Sequence, residues 1–281
     1  MNKKNKWIFG IELDNLKYEN FLFKLKWDLI SEERNKNIIF TPNPEILLNA
    51  KKDSEFKDIL ENADYKTIDG IWIYIALQIL EEKWNIFMEF FMLFYYFFNI
   101  VFRKKYLYKK YWERICGSDL TSDLVNFSEK NNIKVTIIDP YFPEDKAKCE
   151  SQENFRKNLL KKFPKLNFDF FIYIPENKEE IIKEISNSES KILFSTLWMK
   201  TQEKSVIEIL EQCKNIEIGL WVWSSFDYFT WFQKRAPKFW RKIGLEWFYR
   251  IFTWPQKIKR LKRIYNAIFV FIWEVLKENK K

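Results

Sequence analysis

Short runs of β-forming residues alternate with helix-like segments along almost the whole chain, and this alternation restricts the fold more than any other property of the sequence. The β-like runs are residues 6–13, 37–41, 65–68, 134–139, 169–174, 191–196 and 216–222. Helix-like periodicity occupies residues 21–31, 44–60, 70–80, 118–130, 144–163, 178–186 and 201–213. The pattern predicts an α/β fold, a Rossmann-like and largely parallel sheet flanked by helices. Ligands of such sheets bind beyond the carboxyl ends of the strands, so the residues that follow each run are the first place to look for chemistry.

Composition removes several chemistries. The chain of 281 residues contains no His, which excludes the commonest general base, serine triads and the usual catalytic zinc ligand sets. Only 5 Gly are present, so phosphate-cradling glycine loops are scarce. Carboxylates and cations must carry any catalysis. Cys116, Cys149 and Cys213 are odd in number and widely spaced, which suggests free thiols rather than a disulfide framework or a metal site. The apolar run 7–11 is broken by Glu12 and Asp14, too short for a signal peptide, and the expected location is the cytoplasm.

The net charge of +9 is uneven. Residues 234–281 hold 14 Lys/Arg against 3 Asp/Glu, a balance of +11 that leaves −2 for residues 1–233. The sequence therefore divides into an α/β core, 1–233, and a basic helical appendage, 234–281. Charge alone fits nucleic acid, anionic lipid or a phosphorylated ligand. The basic stretch 256–263 runs into an apolar helix whose Ile264, Ala267, Ile268, Phe271, Ile272, Val275 and Leu276 share one face. That combination reads as a peripheral anchor on an anionic membrane surface, and the alternative is a helix docked on the core with solvated cations. Nucleic acid is not expected, because the basic residues adjoin apolar helices instead of base-stacking or groove-reading motifs.

An aromatic insertion, 83–111, contains a second candidate. Residues 86–102 carry one charge, Glu89, and are followed by Arg103, Lys104, Lys105, Lys109 and Lys110. A spanning helix needs ~20 apolar residues, so an interfacial or re-entrant helix suits this length better than a crossing. A tilted span and a buried core hairpin stay open.

Thr41-Pro42-Asn43-Pro44-Glu45 follows one β-like run and Asp69-Gly70 another. Taken singly, Asp69 could be an N-cap and Thr41 and Asn43 plain turn residues. The order along the chain says more: TPNPE at 41–45, DG at 69–70, ERICGSDL at 113–120, QE at 202–203, FDY at 226–228, KRAP at 234–237 and GLEWFYR at 244–250. In this order the blocks resemble the TagA/WecG glycosyltransferase family along the whole length.

The resemblance implies an inverting transfer of N-acetylmannosamine, or a related N-acetylhexosamine or uronate, from a UDP-sugar donor to an undecaprenyl-diphosphate-linked N-acetylglucosamine in cell-surface polysaccharide synthesis. It implies Asp69 as the base that takes the acceptor hydroxyl proton, with Thr41 and Asn43 orienting a sugar. Gln202, Asp227 and Tyr228 would hold the donor nucleotide. Arg250, Lys257 and Arg260 would meet the diphosphate, Lys257 replacing the arginine usual in the family and so losing the planar fork. No D-x-D occurs in the chain, so metal-independent catalysis without a cofactor is expected, on the inner face of the cell membrane. Self-association stays open.

The chain departs from the family pattern at three turns. Asp139-Pro140-Tyr141-Phe142-Pro143, Trp198-Met199-Lys200-Thr201 and Trp223-Ser224-Ser225 stand where glycines are usual. Either the donor pocket is remodelled, or the chain is a catalytically inactive, membrane-bound scaffold of a polysaccharide assembly complex.

Overall fold

The computed structural model describes residues 6–33, 35–81, 86–102, 114–142, 144–230, 234–242, 245–253 and 257–279. Strands β1 (Lys6–Ile8) and β2 (Ile11–Leu13) form an antiparallel hairpin instead of the single run expected over 6–13. The cause is local: Phe9 and Gly10 take φ of 55° and 69°, and positive φ at both central residues is what a tight two-residue hairpin turn requires.

There follow α1 (Tyr18–Ile30), β3 (Asn37–Phe40), α2 (Pro44–Lys52), α3 (Ser54–Glu61), β4 (Tyr65–Lys66), α4 (Ile71–Glu81) and α5 (Ile86–Phe102). After these come α6 (Gly117–Lys130), β5 (Val135–Pro140), α7 (Lys146–Glu153), α8 (Phe155–Lys162), β6 (Phe168–Tyr173) and α9 (Lys178–Ser186). The series continues with β7 (Ile192–Ser195), α10 (Thr201–Gln212), β8 (Ile218–Trp221), α11 (Lys238–Lys242), α12 (Glu246–Thr253) and α13 (Lys257–Tyr265). A single π-helical turn, Asn266–Val270, then leads into α14 (Phe271–Glu278). Two expected helices are each split. Asp53 ends α2 and its carboxylate accepts from Phe56 N at 3.0 Å, capping α3, while Asn154 separates α7 from α8.

The six strands of the main sheet lie in the order β4-β3-β8-β7-β5-β6 and every pairing is parallel. This is the expected α/β architecture. Successive residues of a strand face opposite sides, and each side is buried. Leu193 and Trp221 join the cluster formed with α2, α3, α4, α10 and α14, whereas Phe194 and Leu220 join the one formed with α1, α6 and α8.

The C-terminal helices correct one expectation. Ile268, Phe271, Ile272, Val275 and Leu276 are buried in the first cluster, so the strongest apolar face, expected on the bilayer, docks on the core. This face packs against α4 and α2, which takes it out of water. What stays outside is a different stripe, Leu261, Tyr265, Phe269 and Trp273, spaced four residues apart and each about half exposed. The segment 86–102 is one helix, α5, not a hairpin. Among the described residues, no helix is long and apolar enough to cross a membrane.

Candidate active site

The exits of β3, β4 and β8 converge on one cavity of about 250 Å³. Thr41 leaves β3, and its Oγ1 accepts a hydrogen bond from Trp221 Nε1, at the end of β8, at 2.9 Å. Asn43 caps α2, its Oδ1 accepting from Ile46 N at 3.1 Å, with Pro44 pre-set for the first helical turn. The β4 exit is tied to the same corner, since Thr67 N donates to Phe40 O at 2.9 Å and Asp69 N to Pro42 O at 3.4 Å. Asp69 thus reaches the cavity beside Thr41 and Asn43.

The start of α6 closes the corner. Ile115 N donates to Ile68 O at 3.2 Å, and Gly117 packs so closely on Thr41 that an added Cβ would stand 2.8 Å from Thr41 Oγ1. Gly117→Ala is therefore expected to push Thr41 off Trp221. Overpacking of this kind costs about 1–3 kcal/mol, to be read as a lowered Tm together with lost turnover.

Cations and carboxylates surround this floor. Burial opposes the charge of Arg114, but the carboxylates Asp69, Glu246 and Asp119 favour it, and its pKa moves up. Arg114 is a permanent cation of the cavity wall. The buried Cys116 thiol is pushed up to about 11 by burial first and by Asp69 next, so it stays protonated at neutral pH and is no nucleophile.

The C-terminal part of the chain packs beside this corner, with Glu246, Trp247, Arg263, Ile264, Ala267 and Ile268 lining the cavity. Arg235 pairs with Asp119 and donates from Nη2 to Ser118 Oγ at 2.8 Å, while Arg241 Nη1 lies 3.4 Å from Asp119. Arg263 grips Glu45 with two parallel bonds, Nε to Oε1 at 3.0 Å and Nη2 to Oε2 at 2.8 Å. Glu246, Trp247, Arg263 and Ala267 line the same cavity as Asp69, and Trp72 of α4 meets Trp247 edge-on at 6.0 Å.

Of the residues singled out from sequence, Thr41, Asn43, Asp69, Gln202 and Tyr228 line this one cavity. Gln202 is buried and its Nε2 donates to Glu203 Oε1 at 3.1 Å. Asp227 does not line it: its carboxylate is paired with Lys148 of α7, and burial raises its pKa against the pull of that lysine. Arg250 lies on α12, and Lys257 and Arg260 on α13; their side chains fall outside the described residues, as do Pro255 and Gln256. Sequence reasoning gave no role to Arg114, Glu246 or the Glu45–Arg263 pair. The signals were membership of the ERICGSDL, GLEWFYR and TPNPE blocks for Arg114, Glu246 and Glu45, and of the basic stretch 256–263 for Arg263. Among the described residues, no group of three or more Cys, Asp or Glu is placed to hold a metal ion.

A parallel sheet whose strand exits bring a carboxylate and hydrogen-bonding side chains to one cavity, with arginines in its lining, defines a ligand-binding α/β fold. Comparison with known sequences gives the family. The model of the glycosyl transferase WecG/TagA/CpsF family matches residues 6–99 and 98–281, and the chain belongs to that family. Its relatives include the N-acetylglucosaminyldiphosphoundecaprenol N-acetyl-beta-D-mannosaminyltransferases of Staphylococcus aureus strains MRSA252 and NCTC 8325 / PS 47. Each is 22% identical over 275 residues, covering 98% of this chain and 93% of the relative.

Proposed function

We propose that the protein transfers N-acetylmannosamine, or a closely related N-acetylhexosamine, from a UDP-sugar to an undecaprenyl-diphosphate-linked N-acetylglucosamine, with inversion at the anomeric carbon. The observation that carries this reading is the meeting of Thr41, Asn43, Asp69 and Gln202 in one cavity that Arg114 and Arg263 also line. The acceptor hydroxyl oxygen attacks the anomeric carbon, the bond to the UDP oxygen breaks, and Asp69 takes the hydroxyl proton. Asn43 spends its side-chain oxygen on the α2 cap, so its amide N–H groups are the part that would meet a sugar. Gln202 and Tyr228 lie on the donor side in this scheme.

UDP leaves with its negative charge, which requires cations held in place beforehand. Arg114 and Arg263 line the cavity, and Arg250, Lys257 and Arg260 are assigned to the diphosphate with them. Metal-independent catalysis follows from using arginine and lysine in this role. The acceptor is lipid-linked, so the enzyme works as a peripheral protein at the cytoplasmic face of the membrane.

One observation favours a second reading. Asp227, a donor-side residue by resemblance, is engaged by Lys148, as a remodelled or disused donor pocket would have it. A panel of UDP-N-acetylhexosamines incubated with a lipid-diphosphate N-acetylglucosamine acceptor separates the two. Product with at least one donor is expected. A folded protein that turns over none of them is the scaffold.

A further inference from the structure

Helix α5 is not used by the chemistry above, yet it is the most aromatic element of the chain. Its residues Phe91, Phe94, Tyr95, Phe98 and Phe102 recur at helical spacing on one side and are 49–69% exposed, whereas Tyr96 and Asn99 are buried. Five exposed aromatic side chains on one helix face cost more in water than a soluble surface normally carries. The helix also has an inner anchor, since Phe97 stacks on Trp72 at 5.6 Å.

That contact begins a continuous aromatic series. Trp72 meets Trp247 at 6.0 Å, Trp247 meets Phe248 at 5.7 Å, and Phe248 meets the exposed Phe252 at 5.3 Å. The series leads from α5 past the cavity wall, where Trp72 and Trp247 sit, into α12. In addition α4 packs against both α5 and α14, so the two aromatic helices share one rigid support.

We infer that the outer face of α5 is a lipid-seating surface, joined through Trp72 and Trp247 to the C-terminal helices, and that it dips into an anionic bilayer beside the cavity. The occupant is a membrane rather than a protein for two reasons. Aromatic side chains including Tyr95 suit the headgroup boundary. The chain supplies matching charge, with Arg103, Lys104, Lys105, Lys109 and Lys110 directly after the helix and no acidic residue among them. The inference rests on the lipid-acceptor reading, but its test does not use that chemistry.

The full chain is floated with vesicles of phosphatidylcholine, with and without phosphatidylglycerol, containing no donor or acceptor. Wild-type protein is expected to float with the anionic vesicles and to lose binding as salt rises. The pair Phe98→Ser/Phe102→Ser is expected to bind them at least tenfold more weakly, with an unchanged Tm and unchanged transfer to a water-soluble short-chain acceptor. Failure of the wild-type protein to float overturns the inference whatever the variant does. Wild-type flotation of a folded Ser pair overturns it too. Absence of transfer with every donor, alongside flotation that depends on Phe98 and Phe102, sinks the enzymatic reading alone.

Discussion

Asp69→Asn is expected to lower turnover by about a hundredfold to ten-thousandfold, the usual worth of a positioned general base. The asparagine keeps the shape of the side chain, so the corner made by the Asp69 N–H to Pro42 O bond should survive and Tm should barely move. The decisive measurement is the rate of single-turnover transfer with saturating donor and acceptor. A loss confined to KM would make Asp69 a binding group. Near-normal turnover would remove it from the base role altogether.

The second large effect is on stability. Glu203 has no exposed surface, and burial, only partly offset by hydrogen bonds that include one from Gln202, pushes its carboxyl up from 4.5 to about 8. An unfolded chain releases this proton near 4.5, the folded chain near 8. Between those values the folded state holds a proton that the unfolded state has lost, so stability falls as pH rises through this window and levels off above it. At roughly 1.4 kcal/mol per unit, the cost accumulated by pH 7 is about 3 kcal/mol. Glu203→Gln keeps an oxygen for the Gln202 amide and removes the ionisation. Its Tm should exceed that of the wild type at pH 8 and should lose the decline between pH 5 and 8 that this carboxyl imposes. An undiminished decline in the variant would show that another group sets it.

How much of this was legible in the sequence depended on the range of the interactions. The parallel sheet could be read because each strand is a local run of apolar residues followed by a helical period. The β1–β2 hairpin could not, because Phe9 is an unusual residue for positive φ and no Asn-Gly or Asp-Gly marks the turn. Asp53 carried a readable cap signal that the long apolar period over 44–60 concealed. Thr41, Asn43 and Asp69 were visible as residues just beyond strands, where α/β sheets bind ligands.

The long-range pairs were not visible. Arg263 and Glu45 stand 218 residues apart, and Lys148 and Asp227 stand 79 apart. No local pattern encodes such pairings. Periodicity picked out the apolar face of the C-terminal helices that includes Ile268, Phe271 and Ile272, but could not decide whether it meets a bilayer or the core, since either partner takes such a face out of water.

Strand β8 lies between β3 and β7, although every other strand of the sheet precedes it in the chain. Before it is inserted, the polypeptide can assemble β4 with β3 and β7 with β5 and β6, but the two halves have no shared edge. The joining step closes a loop of well over a hundred residues and is the kind of long-range contact that slows folding. The same step delivers Trp221 to Thr41. A nascent or partly folded chain therefore lacks the Thr41–Trp221 corner of the cavity, which forms only when β8 takes its place.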